Sequence, residues 1–123
     1  MMDFADYDHD GQATEFFLQT GTLPCGKQMG VVVGVSRKTP RLHAFATALH
    51  PDVPLGMNVN AWTALLHAHG TARVVDWRCG DHASEAETEL EVKAAAGSIY
   101  VTRRTFECQE AGPRGKLIGE EPL

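Results

Sequence analysis

Apolar and polar residues alternate with a period of two along much of the second half of the chain. This alternation predicts three strands, over residues 71–79, 84–94 and 99–108, separated by short turns. Consecutive strands that are joined by short turns pair antiparallel, so we expect the three to form a meander. The valine-rich stretch 27–36 predicts a further, buried strand nearer the N-terminus.

The first half of the chain also has stretches with helical signals. Residues 14–20 fit a short helix that ends at Gly21. Residues 39–50 begin with Thr-Pro, which favours a helix start, and they place apolar side chains on one face. Residues 58–70 fit another helix, although the alternation over 57–63 is also compatible with a strand. The predicted fold class is α+β: an antiparallel sheet of the three-stranded meander plus the N-terminal strand, with two helices packed on one face.

The length of 123 residues predicts a single domain over residues 1–123, with flexible ends at about 1–12 and 110–123. Apolar runs are shorter than the about 20 residues of a membrane helix, so no membrane contact is expected. The three cysteines have neither the spacing of a zinc knuckle nor the pattern of a disulfide framework: Cys25, Cys79 and Cys108. These features predict a cytoplasmic protein without a cofactor.

The net charge of −5 is divided into blocks of opposite sign. Residues 1–15 carry five acids and no base, residues 16–75 sum to +4, residues 76–91 to −5 and residues 93–116 to +3. Nucleic-acid binding needs Lys and Arg clustered on one face, so this distribution argues against a nucleic-acid partner. It favours a basic protein partner, or a second copy of the chain in a homo-oligomer that pairs acidic with basic blocks.

Four glutamates recur at every second position in the predicted strand 84–94. In an extended strand their carboxylates lie on one face, about 7 Å apart, whereas a helix would scatter them around its axis. Arginines on adjacent strands can neutralise such a row, and a row open to solvent can dock a basic protein. The partner-binding candidates are Glu85, Glu87, Glu89 and Glu91. They lead to the hypothesis of a non-enzymatic protein-binding module such as an immunity protein, an antitoxin or an inhibitor.

Two further patterns contain residue types that bind metals. His67, His69 and Cys79 support a weaker alternative, a metal-dependent enzyme, because His67 and His69 diverge by about 200° on a helix. Residues 6–11 read Asp-Tyr-Asp-His-Asp-Gly, which is the opening of a calcium loop. The twelfth position of that loop should supply a bidentate glutamate and is Phe17, so calcium binding is not expected.

The predicted order of helix, strand, helix and three antiparallel strands loosely resembles the hotdog-fold thioesterases and dehydratases. Segments between residues 71 and 106 resemble the last three strands of that family. The resemblance covers about half of the chain and depends on periodicity rather than on a motif. It implies another alternative function, a small oligomeric enzyme that acts on an acyl thioester, with His43, His50 or Asp52 near its site.

Overall fold

The computed structural model describes residues 4–23, 26–37, 39–80, 84–109 and 114–123. Within these ranges the chain forms eight strands and one helix. The elements of the first half are β1 (Glu15–Thr22), β2 (Gln28–Gly34), β3 (His43–Ala44), β4 (Met57–Asn58) and α1 (Val59–His67). The elements of the second half are β5 (Thr71–Trp77), β6 (Ala86–Ala95), β7 (Ser98–Glu107) and β8 (Leu117–Pro122).

The strands form two four-stranded antiparallel sheets. In the first sheet, β2 pairs with β1 and also with the two-residue strands β3 and β4. The second sheet is a meander in the order β5, β6, β7, β8. The α+β class and the three-stranded meander are confirmed. The prediction that the N-terminal strand joins the meander in one sheet is wrong, because β2 pairs with β1, β3 and β4 in the first sheet. The meander has a fourth strand, β8, in a segment that the sequence predicts as a flexible end.

A second helix is not found in the described part of the chain. Residues 15–22 are strand β1 rather than a helix, because they pair along their length with the valine-rich β2. Residues 39–50 make turn-type hydrogen bonds at Arg41 and His50, but their other backbone hydrogen bonds include long-range ones to distant segments. The Phe45 N–H donates to the Val32 carbonyl at 2.8 Å, and the Ala48 N–H donates to the Ile99 carbonyl at 2.9 Å. Long-range pairing outweighs local helical propensity in both segments.

Helix α1 forms where the sequence predicts it and joins the two sheets. The Asn58 side chain accepts a hydrogen bond of 2.8 Å from the Ala61 N–H and caps the helix. Trp62 and Leu65 are buried, and the Trp62 indole N–H donates to the Gly30 carbonyl of β2 at 3.0 Å. The helix also contacts β5 and β6, so both sheets share one core.

The shared core includes a residue from the predicted flexible N-terminal end, Tyr7. The buried apolar residues are Tyr7, Val32, Phe45, Leu55, Met57, Ala61, Trp62, Leu65, Leu90, Val92, Ile99 and Val101. Residues 1–3 and 110–113 of the two predicted ends lie outside the described ranges. In the described part of the chain, no helix is long and apolar enough to cross a membrane.

Cys79 and Cys108 form a disulfide across one end of the second sheet. The expectation that the cysteines make no disulfide is therefore wrong for this pair. Cys79 follows β5 and Cys108 follows β7. Both strands pair antiparallel with β6, so they finish at the same end of the sheet. The Cα atoms of the two cysteines lie 5.7 Å apart. Disulfides are rare in the cytoplasm, so the pairing removes one basis for expecting that location. Cys25 lies outside the described residues.

Candidate metal centre

Glu91 of β6 lies between two arginines on the outer face of the second sheet. Its Oε2 is 3.1 Å from Nε of Arg73 on β5 and 2.7 Å from Nη1 of Arg104 on β7. The hydrogen bond from Arg104, together with the charge of both arginines, lowers the pKa of Glu91 below its ordinary value. Cross-strand pairing thus neutralises one end of the predicted glutamate row.

Arg114 covers the middle of the row. Its Nε lies 2.9 Å from Glu87, its Nη1 binds Glu89, and its guanidinium lies 4.4 Å from the centroid of the Phe106 ring. Only 8% of the Glu89 side-chain surface is exposed. Glu85 precedes β6 and is exposed. The segment is extended as predicted, but three of its four glutamates contact arginines of the same chain. Docking of a basic partner through this row stays a prediction.

The histidine and cysteine candidates do not form a shared site. His67 is the last residue of α1, His69 lies just beyond the helix, and Cys79 is bonded to Cys108. A sulfur in a disulfide cannot serve as a thiolate ligand. Among the residues that the structure describes, the converging set of ligand-type side chains is acidic and lies just before β1 and at its first residue.

Four carboxylates meet in the segment of residues 5–15, here called the acidic loop. One carboxylate oxygen from each residue lies within 4.8 Å of the others: Asp6, Asp8, Asp10 and Glu15. Asp8 and Glu15 are fully buried, and the other two are partly buried. Oxygens that coordinate one calcium ion at about 2.4 Å lie at most about 4.8 Å apart. The four groups are therefore close enough to share one ion.

The backbone of the acidic loop explains why these residues converge. Gly11, at the sixth position of the calcium-loop pattern, has φ +93°, a left-handed conformation that favours glycine. Ala5 and Glu15 exchange backbone hydrogen bonds of 2.8 and 3.1 Å and close the loop at its base. Gly34 pairs with Glu15, and a Cβ on Gly34 would lie 2.7 Å from the Glu15 Cα. The bare glycine thus lets β1 place Glu15 beside the three aspartates.

Every carboxylate oxygen of the four residues except one accepts a hydrogen bond. The donors are backbone N–H groups of the loop and of Arg37, together with the Thr14 hydroxyl. The exception is Oδ2 of Asp8, which has no partner among the described residues although Asp8 is only 1% exposed. A buried carboxylate oxygen costs free energy unless a donor, a proton or a cation meets it.

The four carboxylates of the acidic loop form no salt bridge with a described residue. At an effective dielectric constant of about 20, two ionised carboxylates separated by 4.8 Å repel each other by about 3.5 kcal/mol. Hydrogen bonds to ionised carboxylates contribute about 1.5–3 kcal/mol each, so they offset part of this repulsion, and a proton or a bound cation removes the rest.

The pKa values of Asp8 and Asp10 are shifted in opposite directions. Burial, followed by hydrogen bonding and charge repulsion from Glu15, raises the pKa of Asp8 to about 8. Burial also opposes ionisation of Asp10, but the backbone N–H groups of Arg37 and Gln12 lower its pKa below the ordinary value. The loop thus favours a proton or a cation at Asp8 in particular.

The acid that completes the cluster is Glu15. Counted from Asp6, it is at the tenth position of the calcium-loop pattern rather than the twelfth. The calcium-loop pattern places the closing glutamate at Phe17, but Phe17 packs against the core as part of β1. The Ala5–Glu15 bridge brings the chain back two residues earlier than in that pattern. A local signal was present, since Glu15 is an acid directly before the apolar run Phe16-Phe17-Leu18.

No known protein family, curated protein or solved structure matches the chain. The chemistry of the site is therefore inferred from its donor atoms. Carboxylate oxygens are hard ligands that suit Ca²⁺ or Mg²⁺, whereas structural Zn²⁺ sites are built from Cys and His.

Proposed function

We propose that this protein is a domain that binds one calcium ion in the acidic loop, where the ion has a structural role. The observation that carries the proposal is the buried Oδ2 of Asp8, which has no donor among the described residues and belongs to a cluster of four carboxylates. A divalent cation supplies the missing partner and removes the repulsion within the cluster.

The donor set favours calcium over magnesium. Ca²⁺ takes about six to eight oxygens in a flexible arrangement, so four carboxylates can be supplemented by backbone carbonyls and water. Mg²⁺ requires a near-ideal octahedron and keeps several of its waters, which a partly buried cluster of four carboxylates does not accommodate well. Calcium is therefore the ion expected to bind more tightly.

The Cys79–Cys108 disulfide supports a location outside the reducing cytoplasm. In this proposal the protein works in an oxidising compartment, in contrast to the cytoplasmic location that the sequence predicts. Calcium-binding modules outside the cell have dissociation constants of about 10⁻⁴ to 10⁻³ M, and a similar affinity is expected here.

The alternative functions lack a comparable supporting observation. The glutamate row is covered by arginines of its own chain, which weakens the argument for docking a basic partner. The described residues of 39–50 do not form the helix that would carry His43 and His50 in a hotdog-type enzyme. Cys79 is in a disulfide, so the His67–His69–Cys79 metal site loses a ligand.

Isothermal titration of the full chain with CaCl2, after treatment with EDTA, tests the proposal. We expect one site per chain and tighter binding of Ca²⁺ than of Mg²⁺. Asp8→Asn keeps the shape of the side chain, removes its charge and should weaken calcium binding at least about tenfold. Glu85→Gln removes an exposed acid outside the loop and should leave binding unchanged. No saturable binding up to about 10 mM CaCl2, or equal affinities of wild type and Asp8→Asn, would contradict the proposal.

A further inference from the structure

We infer that calcium controls the docking of the acidic loop on helix α1, so that the loop is a calcium-dependent cover over Trp62. The inference rests on the proposed function and states how binding and loss of the ion change the position of the acidic loop. It follows from where the loop is attached, what it covers and which force opposes its attachment.

The acidic loop is attached to backbone groups of three separate parts of the fold. The carbonyl oxygen of Asp8 accepts a hydrogen bond of 2.9 Å from the Gly97 N–H in the β6–β7 turn. Nε2 of His9 donates to the Leu65 carbonyl in the last turn of α1 at 2.8 Å. The Arg37 N–H, just after β2, donates to Oδ2 of Asp10 at 3.0 Å. The loop therefore meets both sheets and the helix between them.

What the loop covers is the tryptophan at the centre of the core. The Tyr7 ring lies edge-on to the Trp62 ring, with centroids 5.9 Å apart and planes at 89°. Trp62 is 1% exposed and Tyr7 is 9% exposed. Tyr7 lies between Asp6 and Asp8 in the sequence. A backbone movement that separates these two carboxylates therefore also moves the ring that covers Trp62.

The force that opposes docking is the repulsion among the ionised carboxylates of the acidic loop. Separating them requires the segment between Ala5 and Glu15 to move, and the anchors that resist this movement are hydrogen bonds to Gly97, Leu65 and Arg37. Calcium reverses the balance because each carboxylate is then attracted to a common centre. The docked loop is the calcium-bound state, and the released loop is the calcium-free state.

The release is expected to be local. Beyond Glu15, β1 pairs with β2 from Phe16 to Thr22, and the Cys79–Cys108 disulfide joins the ends of β5 and β7 in the second sheet. Loss of the ion therefore frees the loop and opens the cover over Trp62, while the strands of both sheets remain paired.

The test uses the single-tryptophan variant Trp77→Phe, in which Trp62 is the remaining tryptophan of the two in the chain. Removal of calcium with EDTA should raise the acrylamide quenching constant of Trp62 at least about twofold and the exchange rate of the Gly97 amide at least about tenfold. Both values should return when CaCl2 is added. The far-ultraviolet circular dichroism of the strands should stay the same.

Asp8→Asn in the same background is the comparison variant, and its Trp62 quenching should no longer respond to calcium. Titration calorimetry on the same samples separates the two ideas. If calcium binds but neither Trp62 quenching nor Gly97 exchange changes, this inference is overturned and the calcium site stands. If calorimetry detects no calcium binding, both are overturned.

Discussion

The Gly97 amide donates a 2.9 Å hydrogen bond to the Asp8 carbonyl, and this contact joins the acidic loop to the β6–β7 turn. A Cβ on Gly97 would lie 3.7 Å from the unpartnered Oδ2 of Asp8. The two residues are distant in the sequence, but together they connect the loop that precedes the first sheet with a turn of the second. Substitutions at either residue should therefore change calcium binding at the candidate metal centre.

Gly97→Ala should destabilise the protein and weaken calcium binding. Gly97 has φ +84° and follows Ala96, which has φ +50°, so both residues of this turn are left-handed. A side chain in that conformation costs about 1–2 kcal/mol. Urea unfolding with saturating CaCl2 measures the loss. Gly56→Ala is the matched control, since no atom lies within 4 Å of its Cβ position and its φ is not left-handed. Equal stabilities of the two variants would count against this account of the turn.

Calcium affinity should increase with pH. With the loop docked and no ion bound, the pKa of Asp8 is about 8 instead of 3.8. Folded Asp8 therefore holds its proton more tightly than unfolded Asp8, and the resulting stabilisation is lost as pH rises from about 4 to about 8. Calcium must displace this proton, so its affinity should rise up to tenfold per unit to about pH 8 and then level off. Calorimetry in buffers of different ionisation enthalpy measures the released proton. An affinity independent of pH would refute this prediction.

Arg104→Gln should destabilise the fold more at neutral than at acidic pH. Arg104 lowers the pKa of Glu91, so the pair contributes stability above the ordinary value of 4.5 for Glu91, and that contribution is lost as pH falls through the lower folded value. Urea unfolding at pH 7 and at about pH 3 should show a difference between wild type and variant that shrinks in acid. Arg41→Gln, at an exposed position, provides the control. A difference of the same size at both pH values would show that charge pairing is not its cause.

Removal of the Cys79–Cys108 disulfide should lower the free energy of unfolding by about 2–4 kcal/mol. The double substitution to serine and the addition of a reductant to wild type should have similar effects, because both release the closed segment of the unfolded chain. Urea unfolding monitors both. Cys25→Ser keeps the disulfide and should retain the sensitivity to reductant. Wild-type stability that does not change on reduction would argue against the pairing.

The elements with strong local signals are the ones that could be predicted from the sequence. Period-two alternation indicates β5, β6 and β7, and Asn58 before Trp62 and Leu65 marks the start of α1. Residues 14–20 and 39–50 have local helical signals, so the sequence predicts helices there. Both predictions fail because these residues pair with distant segments. β8 contains Gly119 and Pro122 and resembles a tail by composition, and only its pairing with β7 makes it a strand.

The candidate site could be predicted in part. The spacing of Asp6, Asp8 and Asp10 indicates a calcium loop, but the pattern requires an acid at Phe17 and so excludes it. The fourth carboxylate comes from Glu15, whose position depends on the Ala5 bridge and on the bare backbone of Gly34. The acid before the apolar run is visible in the sequence, but neither of these two contacts is.

The sequence by itself determined that β2, β5, β6 and β7 are extended, where helix α1 begins and that three aspartates recur at the spacing of a metal loop. These properties depend on a residue and its near neighbours along the chain. Only the tertiary structure decided that arginines cover the glutamates of β6, that Cys79 meets Cys108 and that Glu15 completes the acidic loop. Such contacts depend on strand register and on the return of distant segments to the same place, and both are set by packing of the whole core.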